Sequence, residues 1–277
     1  MKITVLVENT SHHDELDSEH GLSLYIETAK HKLLMDTGAS ERFAYNAEKM
    51  GIDLSEVDTV IISHGHYDHG GGLAEFLKRN HTATIYMNKA AFGEYYHEAH
   101  NQYKYIGLNQ TLKGHSQIVM LSEDTKIDDE LFVFSGVKSH ENWPKTNDTL
   151  REKTDSGYHQ DLFSHEQGLV ICENEKTVLL SGCAHSGIIN IIERYCELEE
   201  DAPEYVISGF HLLRKGELSD AVQKEVQEEA EHLGRQLLKY EISFFTCHCT
   251  GELAYDSLKK VMGERIQYIS TGDVINI

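Results

Sequence analysis

The chain has 277 residues, 40% of them hydrophobic, enough to bury a sizeable core as one large α/β unit or two small ones. Lysine and arginine total 25 against 46 aspartates and glutamates, and the resulting net charge of −21 argues against nucleic acid or an anionic membrane as partner. With no apolar N-terminal run behind a basic segment, no apolar stretch near about 18 residues, and five scattered cysteines, the expectation is a cytoplasmic protein that acts on a small molecule.

Short apolar runs at residues 2–7, 22–26 and 32–35 predict strands. Between the first two, residues 9–21 are polar and hold His12, His13 and His20, the composition of a solvent loop. Asp36-Thr37-Gly38 closes the third strand with good turn chemistry. Residues 40–50 carry helix formers, and Gly51 is a natural stop.

The β-branched run 59–62 predicts a buried strand that delivers Ser63-His64-Gly65-His66-Tyr67-Asp68-His69-Gly70-Gly71-Gly72, after which a helical pattern begins at Leu73. Side chains alternate along an extended segment, so His64 and His66 point the same way and can share one ion. As the chain turns toward the helix, Asp68 and His69 are carried to an adjacent position suited to a second ion. Imidazole with carboxylate suits zinc, iron or manganese rather than calcium. A histidine-rich surface loop, the alternative in a chain with 18 histidines, needs neither a buried strand before it nor a glycine triplet after it.

A strand is expected at 82–86. Residues 88–117 are less regular and rich in tyrosine, with Tyr95, Tyr96, Tyr103 and Tyr105. The stretch from about 88 to 165 reads as an insertion, packed on the core or placed over a substrate pocket as a lid. It contains two strand-like runs, 118–121 and 131–134, and then His140, Trp143, His159, Asp161 and His165, none of them at a clear strand end.

Strands at 168–172 and 177–180 lead into Ser181-Gly182-Cys183-Ala184-His185-Ser186-Gly187 and an amphipathic helix carrying Ile188, Ile189, Ile191, Ile192 and Tyr195. His185 is a candidate ligand there, whereas a buried unreactive thiol is the commoner fate of a residue like Cys183. Strand 205–208 ends in Gly209-Phe210-His211. A charged helix follows at 217–240, with Ser219 and Asp220 in its first turn. Strand 242–246 ends in Cys247-His248-Cys249, and alternation predicts both thiols on the face opposite His248, as packing. A helix at 252–262 and a strand at 266–277 complete the chain. Two prolines and no linker or repeat predict a single domain, 1–277.

His64-x-His66-x-Asp68-His69 resembles the signature of the metallo-β-lactamase-fold superfamily, and the resemblance extends over nearly the whole chain. It implies an α/β fold, the four-layer αβ/βα sandwich, with two divalent metal ions: zinc first, iron or manganese acceptable. The aspartate of Met35-Asp36-Thr37-Gly38 would support the ligand loop rather than bind metal. Cys183 falls nearest the position where many members have an aspartate that bridges both metals. Glu19-His20-Gly21-Leu22-Ser23, Gly182 to Gly187, Gly209-Phe210-His211-Leu212 and His248-Cys249-Thr250-Gly251 resemble a branch that includes the 7,8-dihydropterin-6-methyl-4-(β-D-ribofuranosyl)aminobenzene-5′-phosphate synthases.

Read this way, His64, His66 and His185 hold one ion, while Asp68, His69 and His248 hold the other. A hydroxide bridging the ions would attack an ester, lactone or phosphoester, with Asp68 orienting it or taking its proton. His211 would donate a hydrogen bond to developing charge or serve as a further ligand. Three other readings stand beside this hydrolase. They are the branch's non-hydrolytic synthase chemistry, a di-iron redox module that would need a flavin-binding domain, and a metal-binding protein without catalysis.

Overall fold

Alternation along the apolar runs gives each strand one side chain set per face, and the two faces bury against different layers. The computed structural model describes residues 1–199 and 201–277. Its first large sheet has the order Val274–Asn276, Lys2–Val7, Ser23–Glu27, Lys32–Met35, Thr59–Ile61, Thr84–Asn88, Ile118–Leu121. The second runs Ile266–Tyr268, Ser243–Thr246, Tyr205–Ser208, Lys176–Leu180, Gln167–Glu173, Leu131–Ser135, Thr125–Lys126. Ile3, Leu24, Leu33 and Ile61 of the first sheet pack against Leu169, Val178 and Ile207 of the second. On the outer face of the first, Leu34, Val60 and Ile85 meet Phe43 and Phe76 of the helices Arg42–Lys49 and Leu73–Arg79. On the outer face of the second, Leu179, Val206 and Phe244 meet Ile192, Ala230 and Leu258 of the helices Ile188–Leu198, Asp220–Leu237 and Glu252–Met262. Three apolar seams between four layers make the αβ/βα sandwich.

The expected site follows from strand direction. Thr59–Ile61 lies parallel to its neighbours in the first sheet, and Lys176–Leu180, Tyr205–Ser208 and Ser243–Thr246 run parallel in the second. Their carboxyl ends, where open α/β sheets hold ligands, are followed by His64, His185, His211 and His248.

Three sequence expectations change in detail. The strand expected at 266–277 is two: Ile266–Tyr268 ends the second sheet, and Val274–Asn276 crosses to the first through a turn in which Gly272 takes φ 96°. The charged helix is shorter than 217–240, because Ser219 caps it by accepting from the Val222 N–H at 3.4 Å and Tyr240 lies beyond its end. Within 88–165, Ile118–Leu121 and Leu131–Ser135 belong to the main sheets. Tyr95–Ala99, Gln102–Tyr105, Leu150–Thr154 and Gly157–Gln160 instead form a separate four-stranded antiparallel sheet. No helix among the described residues is long and apolar enough to cross a membrane.

At the edge remote from these histidines, His31 lies between Asp58 Oδ1 at 2.8 Å and Asp128 Oδ2 at 2.6 Å, linking loops of the two sheets. Burial opposes the imidazolium, but the two carboxylates outweigh it and raise the pKa. A raised folded-state pKa gives stability that is fully present below the unfolded value of about 6.5 and is lost as pH rises through the folded value. Urea melts should therefore show His31→Ala destabilised by about 1 kcal/mol near pH 5.5, with the gap narrowing toward pH 8.5. A gap that widens with pH would refute this pairing.

Candidate metal centre

The loop after Thr59–Ile61 is held from beneath by Asp36, which takes φ 63° at the end of its own strand. Its carboxylate accepts from the Ser63 N–H at 2.7 Å, the Ser63 hydroxyl at 2.7 Å and His69 Nδ1 at 2.6 Å. One buried carboxylate thus fixes both ends of the His64–His69 segment. The glycines are required by close backbone approach: a Cβ on Gly65 would lie 2.4 Å from the Ala91 carbonyl oxygen, and one on Gly72 2.1 Å from that of Thr37.

These supports decide the histidine tautomers. The Ser63 hydroxyl proton goes to Asp36, so its oxygen accepts from His64 Nδ1–H at 2.9 Å. The Asn147 amide nitrogen donates to the His185 carbonyl at 2.7 Å, which turns its oxygen toward His185 Nδ1 at 3.1 Å. Each ring is left with a bare Nε2, and the two face each other at 3.2 Å. Burial pushes both imidazoles well below their usual pKa, so neither supplies the missing proton. Two lone pairs at that distance repel unless a cation joins them. His66 packs beside this pair, its ring 4.6 Å from His64 and 4.8 Å from His185, and its buried Nε2 lacks any hydrogen-bond partner.

A second pair is built the same way. His69 gives Nδ1–H to Asp36, and His248 gives Nδ1–H to the Asn9 amide oxygen at 2.8 Å. Their Nε2 atoms approach to 3.2 Å. Burial drives His248 down to about 3, while Asp36 overcomes burial and pushes His69 up to about 9. A metal ion held here would have to displace a proton from His69. Asp68 Oδ2 lies 3.6 Å from His248 Nε2 and 3.2 Å from His20 Nε2. Against burial, those imidazoles hold its carboxyl well below the usual range.

Cys183 joins the two pairs. His69 Nε2 is 3.1 Å from its Sγ, and it falls within 4.8 Å of both the His64/His185 and the His69/His248 ligand atoms. The thiol is therefore at the junction, not in ordinary packing. Cys249 departs further from expectation. The chain turns into a short 3₁₀ helix at His248–Thr250, which breaks the alternation and sends Cys249 toward Cys183 and His211, while Cys247 alone faces the core between the sheets.

The structure brings His64, His66, Asp68, His69, His185, His211 and His248 together, with the His211 ring tilted at 4.1 Å from the His185 ring and its Nδ1 unpartnered. His20, which the Glu19-His20-Gly21-Leu22-Ser23 resemblance places near the site, reaches Asp68 from the polar loop. Three further groups lie outside the sequence reading of the site. His165 accepts from the Gly65 N–H at 2.8 Å and faces Asp161 at 3.1 Å, so it braces the loop with both ring nitrogens engaged. Glu166 accepts from the His185 and Ser186 N–H groups at 2.7 and 2.9 Å, and Glu8 accepts from the His248 N–H at 3.0 Å. Only their placement as acids or imidazoles beside apolar strands hinted at this. A cavity of about 700 Å³ opens onto His66, Asp68, Cys183, His185 and His211, and Lys104, Ile106 and Leu150 of the four-stranded region form part of its wall.

A buried set of imidazoles with a carboxylate and two thiols, at the carboxyl edge of an αβ/βα sandwich, defines a metal-binding protein of the metallo-β-lactamase class. The profile of the metallo-β-lactamase superfamily matches residues 17–226, and the chain belongs to that superfamily. It is 27% identical to the 7,8-dihydropterin-6-methyl-4-(β-D-ribofuranosyl)-aminobenzene-5′-phosphate synthase of Methanocaldococcus jannaschii, over 99% of this chain and 96% of that one. A solved structure described as Tm1679, a metal-dependent hydrolase of the β-lactamase superfamily, superposes with TM-score 0.78 at 30% identity, covering 100% of this chain and 99% of the other. The Zn(2+)-bound PqqB from Methylobacterium extorquens shares the fold at TM-score 0.55 and 11% identity over 100% of both chains.

Replacing Asp36 by Asn removes the charge that orders Ser63 and His69 without touching the converging Nε2 atoms. Its expected effect is a loss of about 10- to 100-fold in metal affinity. Competition with a chelator of known affinity measures it, and affinity unchanged from the parent would contradict the supporting role.

Proposed function

We propose that the protein is a binuclear metal-dependent hydrolase that acts on a small ester, lactone or phosphoester. The observation that supports this most directly is the pair of bare, neutral Nε2 atoms of His64 and His185 facing each other in a dry interior beside a cavity large enough for a substrate. In this reading His64, His66 and His185 hold one ion, Asp68, His69 and His248 hold the other, and Cys183 lies between them. Divalent metal ions supply Lewis acidity and bring the pKa of water toward neutrality. Zinc is the preferred metal, with iron next; the sulfur donor makes manganese the weakest of the three.

The remaining groups act by position. Asp68, 3.2 Å from His20 Nε2 and 3.6 Å from His248 Nε2, orients the nucleophile or takes its proton. His211 is kept neutral, first by burial, and presents a ring nitrogen free to meet charge developing on the substrate. The four-stranded sheet contributes the cavity wall and acts as a lid.

Elemental analysis of protein purified without added metal or chelator is expected to give about two ions per chain, and His66→Ala or Asp68→Ala to lose metal and activity together. Full occupancy in both variants would end the ligand assignment. His211→Gln should keep its metal while kcat falls about 10²- to 10³-fold; a fall in metal content instead would make His211 a ligand.

A second reading is favoured by one finding, the similarity along almost the full chain to a relative named as a synthase. Turnover of a dihydropterin together with a phosphorylated aminobenzene riboside, without hydrolysis of simple esters or lactones, would select it.

A further inference from the structure

The cavity wall gathers cations in a strongly acidic chain. Four cations line it, Lys104, Lys145, Arg214 and Lys215, whereas the molecule as a whole carries −21. The carboxylates in the same lining are Asp68, Asp148 and Glu225. Asp68 belongs to the metal centre, and Glu225 is taken by Lys145 at 2.8 Å.

Lys104 and Lys215 form no ion pair among the described residues. Lys104 is the cross-strand partner of His97, so the two side chains stand together on one face of the four-stranded sheet. Lys215 approaches from the loop after His211, and burial first, then the charges of Lys215 and Lys104, lower the pKa of His97. The Lys215 ammonium lies 2.9 Å from His20 Nε2, and the same nitrogen lies 3.2 Å from Asp68. Arg214 pairs through Nη2 with Glu229 at 3.2 Å, but its Nη1 is shielded from solvent without a hydrogen-bond partner. A buried, unmet guanidinium donor is costly, and an anionic oxygen would satisfy it.

We propose that Lys104, His97, Lys215 and Arg214 form an anion subsite that holds a phosphate group of the substrate beside the metal centre, distinct from the bond that reacts. This assignment rests on the reading of the cavity as the substrate site, and it narrows the substrate class to phosphomonoesters that carry a second, reacting group. Arginine and lysine around a compact dianion give short, charge-assisted hydrogen bonds. The single-charge acetate ion is held less well by the same groups.

The test is calorimetric titration of the metal-loaded protein with inorganic phosphate, and with acetate as control. Metal content is measured on every sample. Phosphate should bind the parent, weaken about tenfold or more in Lys104→Gln/Lys215→Gln, and stay within about threefold of the parent in Lys104→Arg/Lys215→Arg. Acetate should bind weakly throughout. Equal phosphate affinity in the parent and the double glutamine variant, or no phosphate binding by the parent, overturns the subsite. If phosphate binding follows metal content and ignores the lysines, the hydrolase reading survives and the subsite does not. Lysine-dependent binding in protein that takes up no zinc, iron or manganese when these are supplied leaves the subsite standing and removes the hydrolase reading.

Discussion

Asp36 places a carboxylate where no solvent reaches it, and such a group is tolerated only when donors surround it. The Ser63 N–H, the Ser63 hydroxyl and His69 Nδ1 provide them. The consequences spread outward through fixed protons. Because Ser63 spends its hydroxyl hydrogen on Asp36, it can only accept from His64, and His64 must then turn a bare nitrogen inward. Because His69 spends Nδ1–H on the same carboxylate, its Nε2 is committed to Cys183 and His248. The orientation of His64 and His69 is thus set by one residue that touches neither of their Nε2 atoms.

Topology supplies the other half. His64 and His185 come from different sheets and are 121 positions apart, while His69 and His248 are 179 apart. Neither pair could meet unless the two sheets aligned the ends of their parallel strands at one edge. Left-handed backbone at Asp36, Ala184, His211 and His248 marks the points where the chain leaves a strand and turns a side chain into that edge. A non-glycine residue adopts this conformation at some cost, and the cost is met by packing in the three seams.

Local pattern made part of this legible in the chain alone. The alternation of His64 and His66 behind a β-branched strand, and glycine–histidine pairs behind later strands, are signals within ten residues. The strand runs were legible for the same reason, because each seam needs its own face of every strand. What stayed hidden depends on contacts far along the chain. Asn9 and Asn147 fix two histidine tautomers from 239 and 38 positions away, and nothing in their own neighbourhoods distinguishes them. Cys249 was misplaced because strand alternation was carried past Thr246, where the backbone had already turned into a 3₁₀ helix. His165 sits at no clear strand end, and its task, bracing Gly65, leaves no mark on spacing.

The position of Cys183 raises a question of charge balance that bears on the chemistry. Burial pushes its thiol well above the ordinary range, so without cations it stays protonated and neutral. A cation coordinated by sulfur deprotonates it outright, converting a neutral group into an anion at the junction of the two histidine pairs. A bridging carboxylate is ionised whether or not metal is present, but a thiol at this point is not. The interior therefore avoids a second uncompensated negative charge next to Asp68 until the metal arrives. The thiolate donates more electron density than a carboxylate and softens the Lewis acidity of whatever it bridges. Substrate activation at such a centre then depends more heavily on groups outside it, which is where His211 and the cationic cavity wall are placed.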